Sequence, residues 1–191
     1  MHNRRFLGIV TYKGDSVIVF SFTGERLRAW QCCAGATAHW IQVTSAGTVL
    51  VSNDGSDAAV SGFDSFGNRT QSVTIPSCGP SRSFYGDPVS YVPSSVTVDE
   101  TTNRLYVAVF ASYLFSGFNK QQEGTWIFVF DSQGTFLARH SFTDRSMMSS
   151  NLKCPIFVCP DGSVDIVTTQ ATQTGPTIPG PSTIVKLTPG F

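Results

Sequence analysis

One short device recurs through the chain: an apolar strand end, a tight turn, a glycine and a new strand start. Its copies read Val19-Phe20-Ser21-Phe22-Thr23-Gly24, Gly62-Phe63-Asp64-Ser65-Phe66-Gly67, Val129-Phe130-Asp131-Ser132-Gln133-Gly134 and Val185-Lys186-Leu187-Thr188-Pro189-Gly190. A unit that returns every few tens of residues cannot bury its apolar face alone, so its copies must stack. That requirement points to blades or solenoid turns. The step from Gly24 to Gly67 is that of one four-stranded blade, and the later steps are a blade plus insertions.

Between these turns, apolar residues alternate with a period near two or gather in short β-branched and aromatic runs, and no helical stripe is found. Four units follow, over residues 6–31, 38–73, 93–142 and 154–191. The third is the fullest, with strands at 96–99, Leu105–Val109, Trp126–Phe130 and Phe136–Phe142. The second matches it element by element. The first lacks an opening strand and the last stops before a fourth. The expected fold class is therefore all-β: a β-propeller-like array of four-stranded antiparallel blades, two complete and two incomplete. It forms a single domain over residues 1–191. Its ends do not complement each other as a closing blade would, so the chain reads as a fragment of a larger propeller or an open array with exposed edges. A β-sandwich is the alternative architecture, with the repeats as coincidental strand–turn–strand units.

The residues Pro93-Ser94-Ser95-Val96-Thr97-Val98-Asp99, Asn103-Arg104-Leu105-Tyr106-Val107-Ala108 and Ile127-Phe128-Val129-Phe130-Asp131-Ser132-Gln133-Gly134 together resemble an NHL-type repeat. The resemblance implies a propeller, in that family mostly six-bladed. The stretch after the second strand departs from the family pattern, reading Phe110-Ala111-Ser112-Tyr113. No functional residue is carried over.

Charge narrows the function classes. Lys+Arg and Asp+Glu number 13 each, and charged residues make up 14% of the chain. A net charge of zero without single-sign runs gives no dominant electrostatic grip on nucleic acid or an acidic membrane. No apolar stretch approaches the roughly 20 residues that span a bilayer. Neither nucleic acid nor membrane is expected as a partner.

The five cysteines are Cys32, Cys33, Cys78, Cys154 and Cys159. Neighbouring Cys32 and Cys33 seldom bond each other, and Cys154 and Cys159 fall on opposite faces of a strand. Their spacing suits neither zinc nor a redox pair. They read as free, largely buried thiols, which with no apolar leader leans toward the cytoplasm. Asn68-Arg69-Thr70 fits a glycosylation acceptor but sits in a tight turn.

Loop lengths carry the functional signal. Turns between first and second strands, and between third and fourth, are short. Long connections run over Phe110–Gly124 and Gln170–Pro181 within units, and over Cys32–Ala38, Thr74–Val92 and Thr143–Lys153 between units. In an up-and-down blade these long segments share one face, and long loops on a rigid scaffold are where binding concentrates. The expected contact residues there are Arg82, Tyr85, Tyr91, Tyr113, Lys120 and Arg145, since aromatic and arginine side chains dominate interface hot spots. Phe84, Phe115 and Phe118 fit the core better.

No nucleophile elbow, zinc helix or phosphate loop appears. His39 and His140 read as strand histidines. Asn53-Asp54-Gly55-Ser56-Asp57 lacks the glutamate of a calcium loop, although Asp54 and Asp57 would be oxygen donors near a propeller channel. The sequence thus points to a non-catalytic binding scaffold for a protein or peptide, with no cofactor. A metal-dependent propeller hydrolase or lyase, or a structural sandwich protein, is the alternative.

Overall fold

The computed structural model describes residues 7–10, 15–21, 23–54, 59–76, 88–114, 121–142, 156–171 and 179–187. Regular structure among the described residues is entirely β, in four antiparallel sheets. The first holds β1 (Leu7–Val10), β2 (Ser16–Phe20) and β3 (Arg26–Gln31). The second holds β4 (Ala38–Val43), β5 (Val49–Asn53), β6 (Val60–Phe63) and β7 (Arg69–Val73). The third holds β8 (Pro88–Asp99), β9 (Arg104–Leu114), β10 (Gln121–Phe130) and β11 (Phe136–Phe142). The fourth holds β12 (Ile156–Val158), β13 (Val164–Ala171) and β14 (Pro179–Leu187). Each sheet is a meander of sequence neighbours, and the third begins at Pro88, ahead of the start expected at residue 93.

One turn design closes five hairpins. In Ser21–Gly24, Thr44–Gly47, Asp64–Gly67, Asp131–Gly134 and Cys159–Gly162, the glycine amide donates to the first residue's carbonyl. The first residue's amide donates to the carbonyl just beyond the glycine. All five glycines have φ between 77 and 90°, a left-handed conformation that side chains resist. In four copies the first residue also offers a side-chain oxygen to the amide after the glycine. Ser21 accepts from Glu25 at 3.1 Å, Thr44 from Thr48 at 3.1 Å, Asp64 from Asn68 at 2.9 Å and Asp131 from Thr135 at 2.8 Å. Short polar side chains favour such turns for this reason. The β8–β9 turn differs: it is one residue shorter, and Asn103 takes the positive φ of 54°. The copy at Val185–Gly190 runs beyond the described residues.

Period-two alternation divides the apolar side chains between neighbouring interfaces. On the third sheet, Leu105, Val107, Val109, Phe128 and Phe130 join Leu50, Val60 and Val73 of the second in one core. The intervening Tyr106, Ala108, Ile127 and Val129 join Ile156, Val164 and Ile166 of the fourth in another. On the second sheet, Val49, Val51 and Phe63 turn the other way, toward Val17 and Val19 of the first. A sheet buried on both faces supplies apolar residues to both, as the third does.

The sheets also pack in a repeated way. Strand β1 lies against β4, β4 and β5 lie against β8, and β8 and β9 lie against β12. Four residues after its turn glycine, Arg28 donates to the Ser65 carbonyl at 2.5 Å. At the matching place, Gln71 donates to the Ser132 carbonyl at 3.2 Å. Two residues further on, Trp30 packs beneath Gly67 and Val73 beneath Gly134. The last strand of the first sheet thus holds the third-to-fourth turn of the second, and the last strand of the second holds that of the third. By this equivalence β3 corresponds to β7, and β1 and β2 to β5 and β6.

Three connections are narrower than the sequence suggested. Strands β9 and β10 stay in register from Phe110↔Thr125 to Leu114↔Gln121, which leaves 115–120 of the expected Phe110–Gly124 connection. Strand β8 starts at Pro88 inside the expected Thr74–Val92 connection, and β13 and β14 reduce Gln170–Pro181 to 172–178. Gln121-Gln122-Glu123-Gly124 shows no apolar alternation, yet ladder hydrogen bonds form between backbones whatever the side chains.

Candidate functional site

In each meander the short turns leave from one end of the sheet and the long connections from the other. Of the contact residues expected at the long-connection end, Arg82, Tyr85, Lys120 and Arg145 lie outside the described residues, as do Phe84, Phe115 and Phe118. Tyr91 and Tyr113 fall on strands rather than in loops. Tyr91 stands opposite Ala111 and Tyr113 opposite Pro88, so the β8–β9 ladder places the two tyrosines close in register.

The described part of this end centres on the connection from β3 to β4, with Asp15 before β2 and Asp54 after β5. The Asp15 carbonyl accepts the amides of Cys32 at 2.5 Å and Cys33 at 3.3 Å. Two consecutive amides aimed at one oxygen bend the chain, whereas an extended strand would send the two side chains to opposite faces. The sulfurs therefore meet, 2.8 Å apart, and both residues are buried in the core shared by the first two sheets. The thiol hydrogen bond between them raises Cys32 far above, and lowers Cys33 below, the ordinary cysteine value. Burial and the nearby Asp15 and Asp54 charges oppose the lowering at Cys33, and Arg69 assists it.

Asp15 is fixed through its side chain as well. Gln31 Nε2 donates to Oδ2 and Ser16 Oγ to Oδ1 at 2.9 Å, and these bonds, Gln31 first, hold the carboxyl below its usual range. Beyond the cysteines, Ala36 donates to the Cys33 carbonyl at 3.0 Å, closing a turn over Gly35. Asp54 then ties the connection to β5. Its Oδ1 accepts the Thr37 amide at 2.6 Å, and its own amide donates to the Thr37 carbonyl at 3.2 Å. His39 Nε2 lies 3.5 Å from the other Asp54 oxygen, half-buried on β4.

The sequence reading of His39 as a strand histidine and of Cys32, Cys33 and Cys159 as free thiols holds. Cys78 and Cys154 lie outside the described residues. Asp54 is a structural tie, and Asp57 is not described. No group of three or more histidine, cysteine or acidic residues suited to a metal occurs among the described residues. Asn68 uses its side-chain amide on Asp64, at 2.8 Å.

The opposite end has short turns, as expected, yet it carries a cleft of about 280 Å³ between the second and third sheets. Thr44, Ser45, Glu100 and Asn103 line it with polar groups, and Leu50 and Leu105 lie deeper. Ser45 donates its amide to Glu100 at 2.5 Å across the two sheets, and its side chain first, then this amide, hold the Glu100 carboxyl below its usual range. Sequence reasoning missed this cleft because its walls come from turns far apart in the chain. It missed the meeting of Cys32 and Cys33 because the bend is imposed by a carbonyl from another strand.

These features define a class: an all-β protein of stacked antiparallel meanders with one short-turned end and one end of longer connections. No protein-family model and no curated protein matches the chain. Among solved structures it is similar to the crystal structure of a protein of unknown function from Bacteroides caccae, with a TM-score of 0.53 at 11% identity. The match covers 97% of this chain and 59% of that one, so the chain spans little more than half that protein's length. The likeness bears on the fold alone.

Proposed function

We propose that the chain is a non-catalytic propeller-type binding scaffold, of NHL-like design, that recognises a protein or peptide through its long-connection end. The observation that carries this reading is the repeated interlock. Trp30 under Gly67 and Val73 under Gly134 are the same contact made twice, with the hydrogen bonds of Arg28 and Gln71 beside it. A repeated step of this kind supports radial blades. With the short turns spent on holding sheets together, the other end is left for recognition.

Peptide-library selection against the full chain tests the reading. Selected peptides should bind at least about tenfold more weakly to Tyr85→Ala or Tyr113→Ala, as expected for hot-spot aromatics. Gln133→Ala, on an exposed short turn, should leave them unchanged. Peptides equally sensitive to Gln133→Ala, or indifferent to both tyrosines, overturn the binding face. An experimental structure with two facing sheets in place of blades about a common axis overturns the architecture.

A further inference from the structure

We propose that Cys32 and Cys33 form a peroxide-reactive dithiol that closes to a vicinal disulfide and stiffens the connection between the first and second sheets. Adjacent cysteines seldom pair because their α-carbons are only about 3.8 Å apart across a trans peptide and an extended chain parts their side chains. Here the Asp15 carbonyl takes both amides, the chain bends, and the sulfurs stand 2.8 Å apart. A disulfide bond is about 2.05 Å long, so less than an ångström of approach separates the pair from bonding.

The two thiols are unequal. The two sulfurs share one hydrogen bond, and that bond favours the thiolate on Cys33. The thiolate is the nucleophile in sulfur chemistry, and Cys32 is positioned to resolve what forms on Cys33. Exposed Ala34 and Gly35 follow the pair directly, and peroxide is close to water in size.

The reaction balances with one hydrogen peroxide. The Cys33 thiolate attacks a peroxide oxygen, the O–O bond breaks, and the departing hydroxide takes a proton to become water. Cys33 is then a sulfenic acid. Cys32 loses its proton, its sulfur attacks the sulfenic sulfur, and the S–OH oxygen leaves as a second water. The two thiols are oxidised by two electrons, the peroxide is reduced, and one S–S bond remains. The bond fixes the chain at Cys33, and Ala34 and Gly35 lead from it to the Ala36 and Thr37 amides, whose partners are the Cys33 carbonyl and Asp54.

The test uses the full reduced chain, hydrogen peroxide, an alkylating quench and peptide mass spectrometry. The peptide holding Cys32 and Cys33 should lose two hydrogens and escape alkylation while Cys159 is still alkylated, and dithiothreitol should restore it. Cys33 should react about tenfold faster than Cys159. In Cys32→Ser the reaction should stop at a dimedone-reactive sulfenic acid on Cys33, and in Cys33→Ser the Cys32 thiol should stay reduced. Hydrogen exchange at Ala36 and Thr37 should slow on oxidation. The proposal is overturned if both cysteines stay alkylatable at doses that oxidise Cys159, if they pass to sulfinic acids without losing two hydrogens, or if exchange at Ala36 and Thr37 is unchanged. The wild-type mass measurement decides even if a variant fails to fold.

Discussion

Gly67 lies so close to Trp30 that a β-carbon there would stand 2.8 Å from the indole Cγ and Cδ2. The contact couples two sheets through a residue with no side chain. Gly67→Ala should therefore incur both a left-handed backbone penalty of about 1–2 kcal/mol and a comparable packing penalty. Gly47→Ala has a similar φ with nothing within 4 Å of the added carbon, so only the backbone penalty applies. Denaturant unfolding of both variants checks this. Equal losses would show that the Trp30 contact carries nothing, and Trp30→Ala should recover part of the Gly67→Ala loss.

Phe128 is fully buried in the core between the second and third sheets, against Phe130 and Phe136. Phe128→Ala should destabilise the fold by about 3–5 kcal/mol, the usual range for a buried phenylalanine. Phe157 is 48% exposed, and Phe157→Ala should lie within about 1 kcal/mol of wild type. The midpoint of chemical denaturation reads both.

Asp64 and Asp131 have lowered pKa values. Asp64 is held down first by the Asn68 side chain and Asp131 first by the Thr135 amide. A depressed folded value means the stabilisation is complete above the ordinary aspartate range and is lost as pH falls through it. Stability should therefore decline on acidification below about pH 4. The Asp64→Asn, Asp131→Asn double variant should show a shallower acid limb. An unchanged limb would rule the turn carboxylates out as its source.

Lys186 donates to Asp161 at 2.7 Å, fixing β14 to the β12–β13 turn. Its pKa is raised, chiefly by that bond. A raised folded value gives stabilisation that is complete below the ordinary lysine range and lost as pH climbs through it. Both groups are exposed and Lys186 is also the first cause of the lowered Asp161 value, so Lys186→Met should cost a little stability at neutral pH, with the difference from wild type fading on both the acid and the alkaline limb. Thermal melts across both limbs read the effect.

Asp54 holds the Thr37 amide. Asp54→Ala should expose that amide to fast exchange and speed proteolysis between Cys33 and Ala38, with the global melting point nearly unchanged. A large fall in melting point would mean that the tie supports the core.

Much of the fold was legible because alternation and turn chemistry are local. Three of the five glycine turns, at Gly24, Gly67 and Gly134, carried the recurring motif, and the strand pairs around them followed. The turn motif held a further signal that the glycine alone did not carry: a Ser, Thr or Asp three residues earlier, which accepts the amide after the glycine. Strand lengths in the β8–β10 ladder were not legible, since polar Gln121–Gly124 pairs through its backbone. The Cys32–Cys33 contact and the cleft beside Glu100 depend on Asp15 and Ser45, which reach them from other strands. No reading of a single segment finds such partners.

Strand β9 has ten paired rungs with β8 and ten with β10. It sends Leu105, Val107 and Val109 to one core and Tyr106 and Ala108 to the next. A slip of a single rung would exchange the two sets. Tyr106 would then meet a space shaped for valine, and valine a space shaped for Ala108, on both flanks together. One strand thus acts as the gauge that aligns three sheets. A mispaired chain would have no half-correct compact form in which to rest.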